Sequence, residues 1–156
     1  MKILLAGKNG QVGWELNRSL SKLGTVFAMG REDMDLSKPE TLRPVIQDIR
    51  PDIIINAAAY TAVDKAESEP DLAMTVNGIA PGVIAKEAKK IGATVIHYST
   101  DYVFDGKATS PYKEENPTYP LSVYGNSKLA GEQAVTQAGI PHIIFRTSWV
   151  YSLRGG

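Results

Sequence analysis

The stretch MKILLAGKNGQVG, residues 1–13, joins an apolar run to a turn with glycine at positions 7, 10 and 13. Glycine lets a backbone turn tightly and approach a ligand closely, and the first N–H groups of a following helix can bind phosphate oxygens. The spacing differs from the G-x-G-x-x-G form, but a strand pattern precedes it and an amphipathic helix and a second strand pattern follow. We therefore predict a dinucleotide-binding turn rather than an ordinary glycine turn. Its predicted contacts come from Gly7, Asn9, Gly10, Gln11, Val12 and Gly13.

Amphipathic stretches at helical spacing follow this turn. The first has its apolar residues on one helix face, and Gly24 is its candidate end; the face comprises Val12, Leu16, Leu20 and Leu23. Residues 39–49 form a second predicted helix with Ser37 as N-cap. Residues 71–91 also have a helical pattern, interrupted around Asn77, Gly78 and Pro81. A last helix is predicted over residues 122–138.

Short apolar runs separate these helices. They predict strands at residues 3–6, 25–29, 53–55, 93–98 and 143–145. Residues 110–120 are rich in Pro, Thr and Glu and are predicted to form a loop. Strands that alternate with helices are typical of a parallel sheet covered on both faces. We predict an α/β fold, a doubly wound parallel sheet of the Rossmann type, in a single domain over residues 1–156.

The composition limits the class of protein. The 156 residues include 17 Lys and Arg, 17 Asp and Glu, and no Cys. Balanced charge gives no electrostatic reason to expect nucleic acid or a membrane as partner. The absence of cysteine excludes disulfides and thiolate metal sites, and the apolar run at the N-terminus is too short for a signal peptide. We expect a cytoplasmic protein with a small-molecule ligand.

The second strand predicts where the adenosine half of a dinucleotide binds. An acidic residue at the end of this strand often holds the ribose 2′-OH, but here the residue is Arg31. Because an arginine can accept a 2′-phosphate, the sequence favours NADPH over NADH; the alternative is a solvated Arg31 beside Glu32 and Asp33. Asp35 and Leu36 are candidates to flank the adenine. The alternative is that Asp35 is an ordinary acidic residue at the start of a helix.

A catalytic signal lies more than a hundred residues further on. Tyr124 and Lys128 share one face of the predicted last helix, and Thr100 and Asp101 follow the fourth strand. Hydride transfer to a carbonyl leaves negative charge on oxygen, which a phenol can neutralise by donating its proton. We expect a nearby cation to lower the pKa of that phenol, and a hydroxyl such as Thr100 to hold the same oxygen. Lys128 would also reach the nicotinamide ribose.

Several segments together resemble the extended short-chain dehydrogenase/reductase family. They are residues 7–15, 50–52, 56–67 (NAAAYTAVDKAE), 98–106 (YSTDYVFDG), 124–132 (YGNSKLAGE) and 145–151 (FRTSWVY). The resemblance implies a catalytic triad of Thr100, Tyr124 and Lys128. It implies a cofactor-packing role for Ala57, Ala58 and Ala59, and sugar contacts from Val63, Asp101, Tyr102 and Trp149.

The resemblance also separates related activities. Dehydratases of this family carry an acidic residue where this chain has Tyr102, so we expect a reductase. The implied reaction is the NADPH- or NADH-dependent reduction of the 4-keto group of dTDP-4-dehydro-6-deoxy-L-mannose to dTDP-L-rhamnose, a step of rhamnose and cell-surface polysaccharide synthesis. Asn77 either supports the active site through its backbone or only breaks its helix.

The resemblance covers the N-terminal half of such an enzyme, so we expect a C-terminal substrate-binding region to be absent from this chain. The alternatives are therefore a truncated dinucleotide-binding module, or a regulatory relative with little turnover. Glu15 lies where some relatives place a Mg²⁺ ligand at a dimer contact, but its partner ligands would lie outside the chain, so we expect no metal here. His97 and His142 are interpreted as structural. An exposed sheet edge would allow self-association, and a homodimer is a further expectation.

Overall fold

A computed structural model describes residues 1–152, and its core is a five-stranded sheet in the order β2-β1-β3-β4-β5. The strands are β1 (Lys2–Ala6), β2 (Thr25–Met29), β3 (Ile53–Asn56), β4 (Thr94–Thr100) and β5 (His142–Thr147). Every pair is parallel. The fold is therefore the α/β Rossmann-type sheet that the sequence predicts.

Helices cover both faces of the sheet. They are α1 (Gln11–Leu20), α2 (Leu42–Ile49), α3 (Val63–Ala66), α4 (Pro70–Met74), α5 (Ala80–Ile91) and α6 (Val123–Gln137). Short 3₁₀ turns span Pro39–Thr41 and Asp101–Val103, and a π-helical turn spans Thr75–Ile79. Leu4, Ile54 and Val95 face the larger core under α2, α5 and α6. Ile3, Leu5 and Ile55 face the smaller core under α1.

The strand order determines where a ligand binds. The chain proceeds from β1 outward to β2 on one side and, through β3, to β4 and β5 on the other. At such a reversal the loops after neighbouring strands diverge and leave a crevice at the carboxyl ends of the strands. The glycine turn follows β1 and the alanine run follows β3, so both border this crevice.

Two local predictions are wrong. Helix α1 ends at Leu20, and Leu23 is 62% exposed because residues 21–23 form a turn in which Leu23 N–H donates to the Leu20 carbonyl. Ser37 does not cap a helix: its hydroxyl donates to Asp35 Oδ1 at 2.7 Å, and the 3₁₀ turn starts at Pro39 without a side-chain cap.

The predicted interruption of the helix at residues 71–91 is confirmed. The π-helical turn contains Asn77 and Gly78, and Pro81 lies in the first turn of α5, where a missing backbone N–H costs little. Residues 110–120 contain neither helix nor strand, as predicted.

Candidate active site

One cavity of about 940 Å³ occupies the crevice at the carboxyl ends of the strands. It brings together nearly all of the residues predicted from sequence: Gly7, Asn9, Gly10, Gln11, Val12, Arg31, Asp35, Leu36, Ala57, Ala58, Ala59, Val63, Thr100, Asp101, Tyr102, Tyr124, Lys128 and Trp149. Gly13 is the exception, since it is buried behind the lining. Residues more than a hundred positions apart in sequence therefore share one wall.

The glycine turn has the close packing that its residue types predicted. Gly7 has φ +92°, and a Cβ there would lie 2.7 Å from the Ala58 nitrogen. Only glycine fits without strain in that conformation and contact. A Cβ at Gly13 would overlap the Gly7 carbonyl oxygen. Gly13 therefore lets α1 start directly against the turn, although it does not itself face the cavity.

The start of α1 fits a phosphate group. The N-cap Gly10 provides no side-chain hydrogen bond, and the first turn carries no acidic residue. The first N–H groups of a helix have no partner within the helix and carry partial positive charge. The amide oxygen of Gln11 is also buried without a hydrogen-bond partner, at a position that lines the cavity. The free N–H groups match the oxygens of a pyrophosphate, whereas the Gln11 oxygen is an acceptor and would need a donor such as a hydroxyl or an amide N–H.

Charged residues lie at the end of the cavity that follows β2, which Gly30, Arg31 and Asp35 line. Lys8 Nζ lies 2.7 Å from Asp33 Oδ2 and 3.0 Å from Glu32 Oε1, so two carboxylates offset its charge. Arg31 is 79% exposed at its side chain and has a looser contact, 3.5 Å from Asp35 Oδ1. Leu36 is buried beneath. Arg31 is thus the better available of the two cations on this rim.

Tyr124 is held in the first turn of α6. Ser122 caps the helix by accepting a hydrogen bond from Gly125 N–H at 3.0 Å. Glu67 Oε1 accepts a second hydrogen bond, from Val123 N–H, at 2.8 Å. The ring packs with Ala66 and Ala73. This helix terminus therefore has two anchors, one local and one from the segment between α3 and α4.

The surroundings of Tyr124 raise its pKa. Burial is the main cause, the nearby Asp101 and Tyr102 add to it, and a hydrogen bond with Thr100 opposes it. The expectation of a lowered pKa is therefore wrong for this structure, because burial outweighs the groups that would favour the phenolate. A raised pKa keeps the phenol protonated, which is the state that a proton donor needs.

Lys128 lies one helical turn after Tyr124 and is buried. Its Nζ donates to the Tyr98 carbonyl at 2.6 Å. Burial lowers the pKa of Lys128 to about 8, and the negative charge of Glu132 partly opposes this effect. Lys128 therefore titrates much nearer neutrality than an exposed lysine.

The end of β4 brings Thr100 to the same wall. Thr100 Oγ1 accepts from Tyr102 N–H at 3.2 Å and donates to Asp101 Oδ1 at 3.2 Å. Asp101 Oδ2 accepts from Ser148 at 2.7 Å. Tyr102 is 47% exposed, with its ring edge-on to Tyr124 at 5.5 Å between centroids. Trp149 is 90% exposed, and its φ of +51° is unusual for a bulky residue.

Asn77 interrupts its helix and also joins two walls of the cavity. Its side chain bonds both backbone groups of Tyr60, accepting from N at 2.9 Å and donating to O at 3.0 Å. It also donates to Ser127 Oγ at 3.0 Å, and Ser127 donates to the Tyr124 carbonyl. The structure thus gives Asn77 a side-chain role that neither sequence-based alternative included.

Sequence reasoning also missed a polar cluster behind the site. Glu132, Ser99 and Arg146 contact one another there, and the carboxylate of Glu132 is buried. The available signal was the position of Glu132, four residues after Lys128 and hence on the same helix face. Ser99 and Arg146 lie on two different strands, so a single sequence gave no reason to pair them.

The two histidines lie outside this cavity wall. His97 is fully buried, and its Nδ1 contacts Asn56 Nδ2 at 3.2 Å. Burial and the charge of Lys128 lower the pKa of His97 to about 3. His142 Nδ1 contacts the Ile140 carbonyl at 2.8 Å. Both contacts are with groups of this chain, and the structural interpretation from sequence stays a prediction.

Glu15 forms a surface ion pair with Arg18 at 3.6 Å. Over residues 1–152 there is no group of three His, Asp or Glu side chains arranged to hold a metal ion. No helix in that range has the length and apolar character needed to span a bilayer.

Comparison with known proteins gives a consistent picture. A family model described as the RmlD substrate binding domain matches residues 1–156. The chain is 55% identical over 155 residues to a dTDP-4-dehydrorhamnose reductase of Burkholderia thailandensis, covering 99% of this chain and 52% of that protein. It is 54% identical over 159 residues to the protein of the same name from Escherichia coli K12, covering 99% and 53%.

A solved structure agrees with these matches. The dTDP-4-dehydrorhamnose reductase from Bacillus anthracis in complex with NADP superposes with a TM-score of 0.91 and 38% identity, over 96% of this chain and 54% of that one. The chain thus spans about half the length of the curated relatives it matches.

Proposed function

The chain belongs to the RmlD substrate binding domain family, and we propose that it carries the coenzyme site and proton-donating residues of a dTDP-4-dehydrorhamnose reductase. The proposed reaction reduces the 4-keto group of dTDP-4-dehydro-6-deoxy-L-mannose to a hydroxyl and yields dTDP-L-rhamnose. The observation that carries the proposal is that buried Tyr124 and Lys128 line the same cavity as the glycine turn.

A bound nicotinamide coenzyme would supply the hydride. Gly7 and the first turn of α1 would hold its pyrophosphate, and Ala57 to Ala59 leave room for it because their side chains are small. Tyr124 would donate its phenolic proton to the oxygen of the keto group as negative charge develops there. Thr100 would hold that oxygen by hydrogen bonding. The ammonium of Lys128 would stabilise the tyrosinate that remains.

The sugar nucleotide would enter from the open side of the cavity. Val63, Asp101, Tyr102 and Trp149 line the cavity and are the proposed sugar contacts, and the exposed rings of Tyr102 and Trp149 offer apolar surface to a deoxysugar. This assignment rests on their position in the cavity and on the names of the relatives. A substrate contact would also account for the strained backbone of Trp149, since strain of this kind concentrates at functional sites.

We infer a preference for NADPH over NADH from the charge of Arg31, which lines the cavity. Most of the Arg31 side chain is exposed there, and a 2′-phosphate would offer its guanidinium a charge-assisted contact. Lys8 is less available because Glu32 and Asp33 hold it. Arg31→Ala should weaken NADPH binding on the order of ten-fold and leave NADH binding nearly unchanged.

One observation favours a second candidate, a dinucleotide-binding module with little turnover. Trp149, a proposed sugar contact that lines the cavity, is almost fully exposed. In this reading the residues bind coenzyme but do not form a complete sugar-nucleotide pocket.

Calorimetry with NADPH and NADH, followed by coenzyme oxidation after the 4-keto sugar nucleotide is added, separates the candidates. Binding followed by oxidation supports the reductase. Binding without oxidation supports the module. If neither coenzyme binds a folded chain, both candidates are wrong.

A further inference from the structure

Glu132 is a buried carboxylate that the proposed reaction does not use. Its Oε1 accepts a hydrogen bond from Ser99 Oγ at 2.5 Å, and Oε1 and Oε2 accept from Arg146 Nε and Nη2 at 3.0 and 2.7 Å. Ser99 of β4 and Arg146 of β5 are directly paired in the sheet. One carboxylate on α6 therefore binds two adjacent strands.

These contacts are next to those of the candidate catalytic residues. Three consecutive residues at the end of β4 face α6 and the cavity: the Tyr98 carbonyl accepts from Lys128, the Ser99 hydroxyl donates to Glu132, and Thr100 lines the cavity. Lys128 and Glu132 are one turn apart on α6. The helix is thus fixed to the strand at two successive points immediately before Thr100.

The cluster also extends to the loop that follows Tyr102. The Arg146 guanidinium lies 5.0 Å from the centroid of the Phe104 ring and donates to the Glu114 carbonyl at 3.2 Å. Phe104 stacks on Tyr112 at 4.2 Å. Removal of the Glu132 charge would leave Arg146 without its carboxylate partner and so loosen this loop as well.

We propose that Glu132 is a positioning residue for the reduction: it fixes the end of β4 against α6, so that Thr100 stays beside Tyr124, and it balances the buried charge of Lys128. The turnover part of this inference rests on the proposed function. The structural part does not, since it concerns contacts between residues of this chain.

The groups around Lys128 allow the charge role to be tested. They are Tyr124 and Glu132 on α6, and His97 and Tyr98 on β4. Burial raises the pKa of both tyrosines and lowers that of His97 to about 3, so none of these three is charged at neutral pH. Of the four, Glu132 alone then provides a charge to Lys128.

The first test is an NMR titration of the Lys128 side chain, labelled with carbon-13 at Cε and assigned with a Lys128→Arg variant. It needs neither coenzyme nor turnover. We expect Glu132→Gln to lower the Lys128 midpoint by about one pH unit, because the opposing negative charge is lost. An unchanged midpoint overturns the charge role.

Glu87→Gln is the matched control. Glu87 is equally buried and is bonded to Arg43, Gln47 and Lys90, away from the cavity. It therefore reports the general cost of removing a buried, ion-paired carboxylate. The Lys128 midpoint and the turnover should both stay at the wild-type values in this variant.

Turnover tests the positioning role. Glu132→Gln should lower kcat on the order of ten-fold with little change in the coenzyme KM. Ser99→Ala removes one strand contact but keeps the carboxylate, so it should lower kcat without moving the Lys128 midpoint. A wild-type kcat in Ser99→Ala overturns the positioning role, and so does a loss of kcat in Glu87→Gln equal to that in Glu132→Gln. If Glu132→Gln does not fold, the kcat of Ser99→Ala decides the question. A wild-type chain without turnover would refute the proposed reductase, while the NMR midpoint would still decide the charge role of Glu132.

Discussion

Tyr124 is the residue whose single substitution tests the proposed chemistry most directly. Tyr124→Phe removes the phenolic oxygen but keeps the ring that packs with Ala66 and Ala73. We expect kcat to fall roughly 10²- to 10⁴-fold, the range of a lost general acid, with coenzyme affinity within about two-fold of wild type. Single-turnover oxidation of NADPH measures the first quantity and calorimetry the second. Turnover near the wild-type rate would remove Tyr124 from the mechanism.

His97 gives a prediction about stability and pH. Its pKa in the folded chain is about 3, below the unfolded value of 6.5, because burial disfavours the imidazolium. Between those values the unfolded chain binds more protons than the folded chain, so stability is fully present above pH 6.5 and is lost as the pH falls toward 3. The loss should approach about 1.4 kcal/mol per pH unit within this window.

Urea unfolding at intervals from pH 7 to pH 5 measures this slope. The range lies above the ordinary pKa values of Asp and Glu, so acid titration of carboxylates contributes little. His97→Gln should flatten the slope whatever its effect on stability at pH 7. The same slope in His97→Gln and in the wild type would contradict the prediction.

The candidate catalytic residues could be named from the sequence because two of them share a helix face and because the family resemblance implies a triad with Thr100. Tyr124 and Lys128 are four apart on one helix, and Thr100 ends a strand. The partners that hold them could not be predicted, because Glu67, Asn77 and Arg146 reach the site from separate elements. The pKa of Tyr124 was predicted in the wrong direction for a related reason: burial depends on packing that one sequence does not reveal.

Helix α6 and the π-helical turn make an unusually close contact at Gly131. A Cβ there would overlap the Asn77 carbonyl oxygen and lie 3.4 Å from His97 Nε2. Gly131→Ala gains about 1 kcal/mol of helix propensity, but overpacking typically costs about 1–3 kcal/mol. We expect a net loss of stability and, because α6 carries Tyr124 and Lys128, a lower kcat.

Thermal unfolding of Gly131→Ala measures the cost of the overlap, and Gly10→Ala is the control in which the added Cβ overlaps no atom. A Cβ at Gly10 would meet only the Gly7 carbonyl oxygen at 3.6 Å, an ordinary contact. Alanine is a poorer N-cap than glycine, so the Tm of Gly10→Ala should fall slightly, but by less than that of Gly131→Ala, whatever happens to its coenzyme binding. A Tm for Gly131→Ala at or above the wild-type value would show that α6 can move without cost.

The strands were predicted more accurately from the sequence than the ends of the helices. Ile53 to Ile55 form a β-branched run that is typical of a strand buried on both faces, and it lies in β3. The end of α1 was misplaced because Leu23 continues the apolar spacing, whereas Gly24 is packed against the Met1 carbonyl rather than capping the helix. Helical periodicity marks a face but not the residue at which the helix stops.

The fold of the whole domain was predictable because alternating strands and helices admit few topologies. Parallel strands need crossover connections, which are nearly always right-handed, and the observed order β2-β1-β3-β4-β5 is one of the few that remain. The shape of the cavity was not predictable in this way. Its wall depends on Trp149 in a left-handed conformation and on the position of the loop after Tyr102, which distant contacts determine.

The β5 edge of the sheet leads to a prediction for the whole molecule. Ile143 and Phe145 alternate along β5 and are 48% and 45% exposed, and Phe145 packs on Tyr98 of β4 with 5.6 Å between ring centroids. Within residues 1–152, β5 is an edge strand, and an apolar patch beside such an edge favours association with another chain. We expect the 156-residue chain to self-associate as its concentration rises.

Sedimentation velocity across a hundred-fold concentration range measures this association. Ile143→Lys combined with Phe145→Ser should shift the midpoint to a higher concentration, because the double variant replaces apolar side chains on the edge by a charge and a hydroxyl. Leu121→Lys is the control, since Leu121 is 74% exposed but lies in the loop before α6. If the control disperses the chain as well as the double variant does, general surface hydrophobicity and not the β5 edge drives association. If the wild type stays monomeric throughout the range, the prediction of self-association through the β5 edge is wrong.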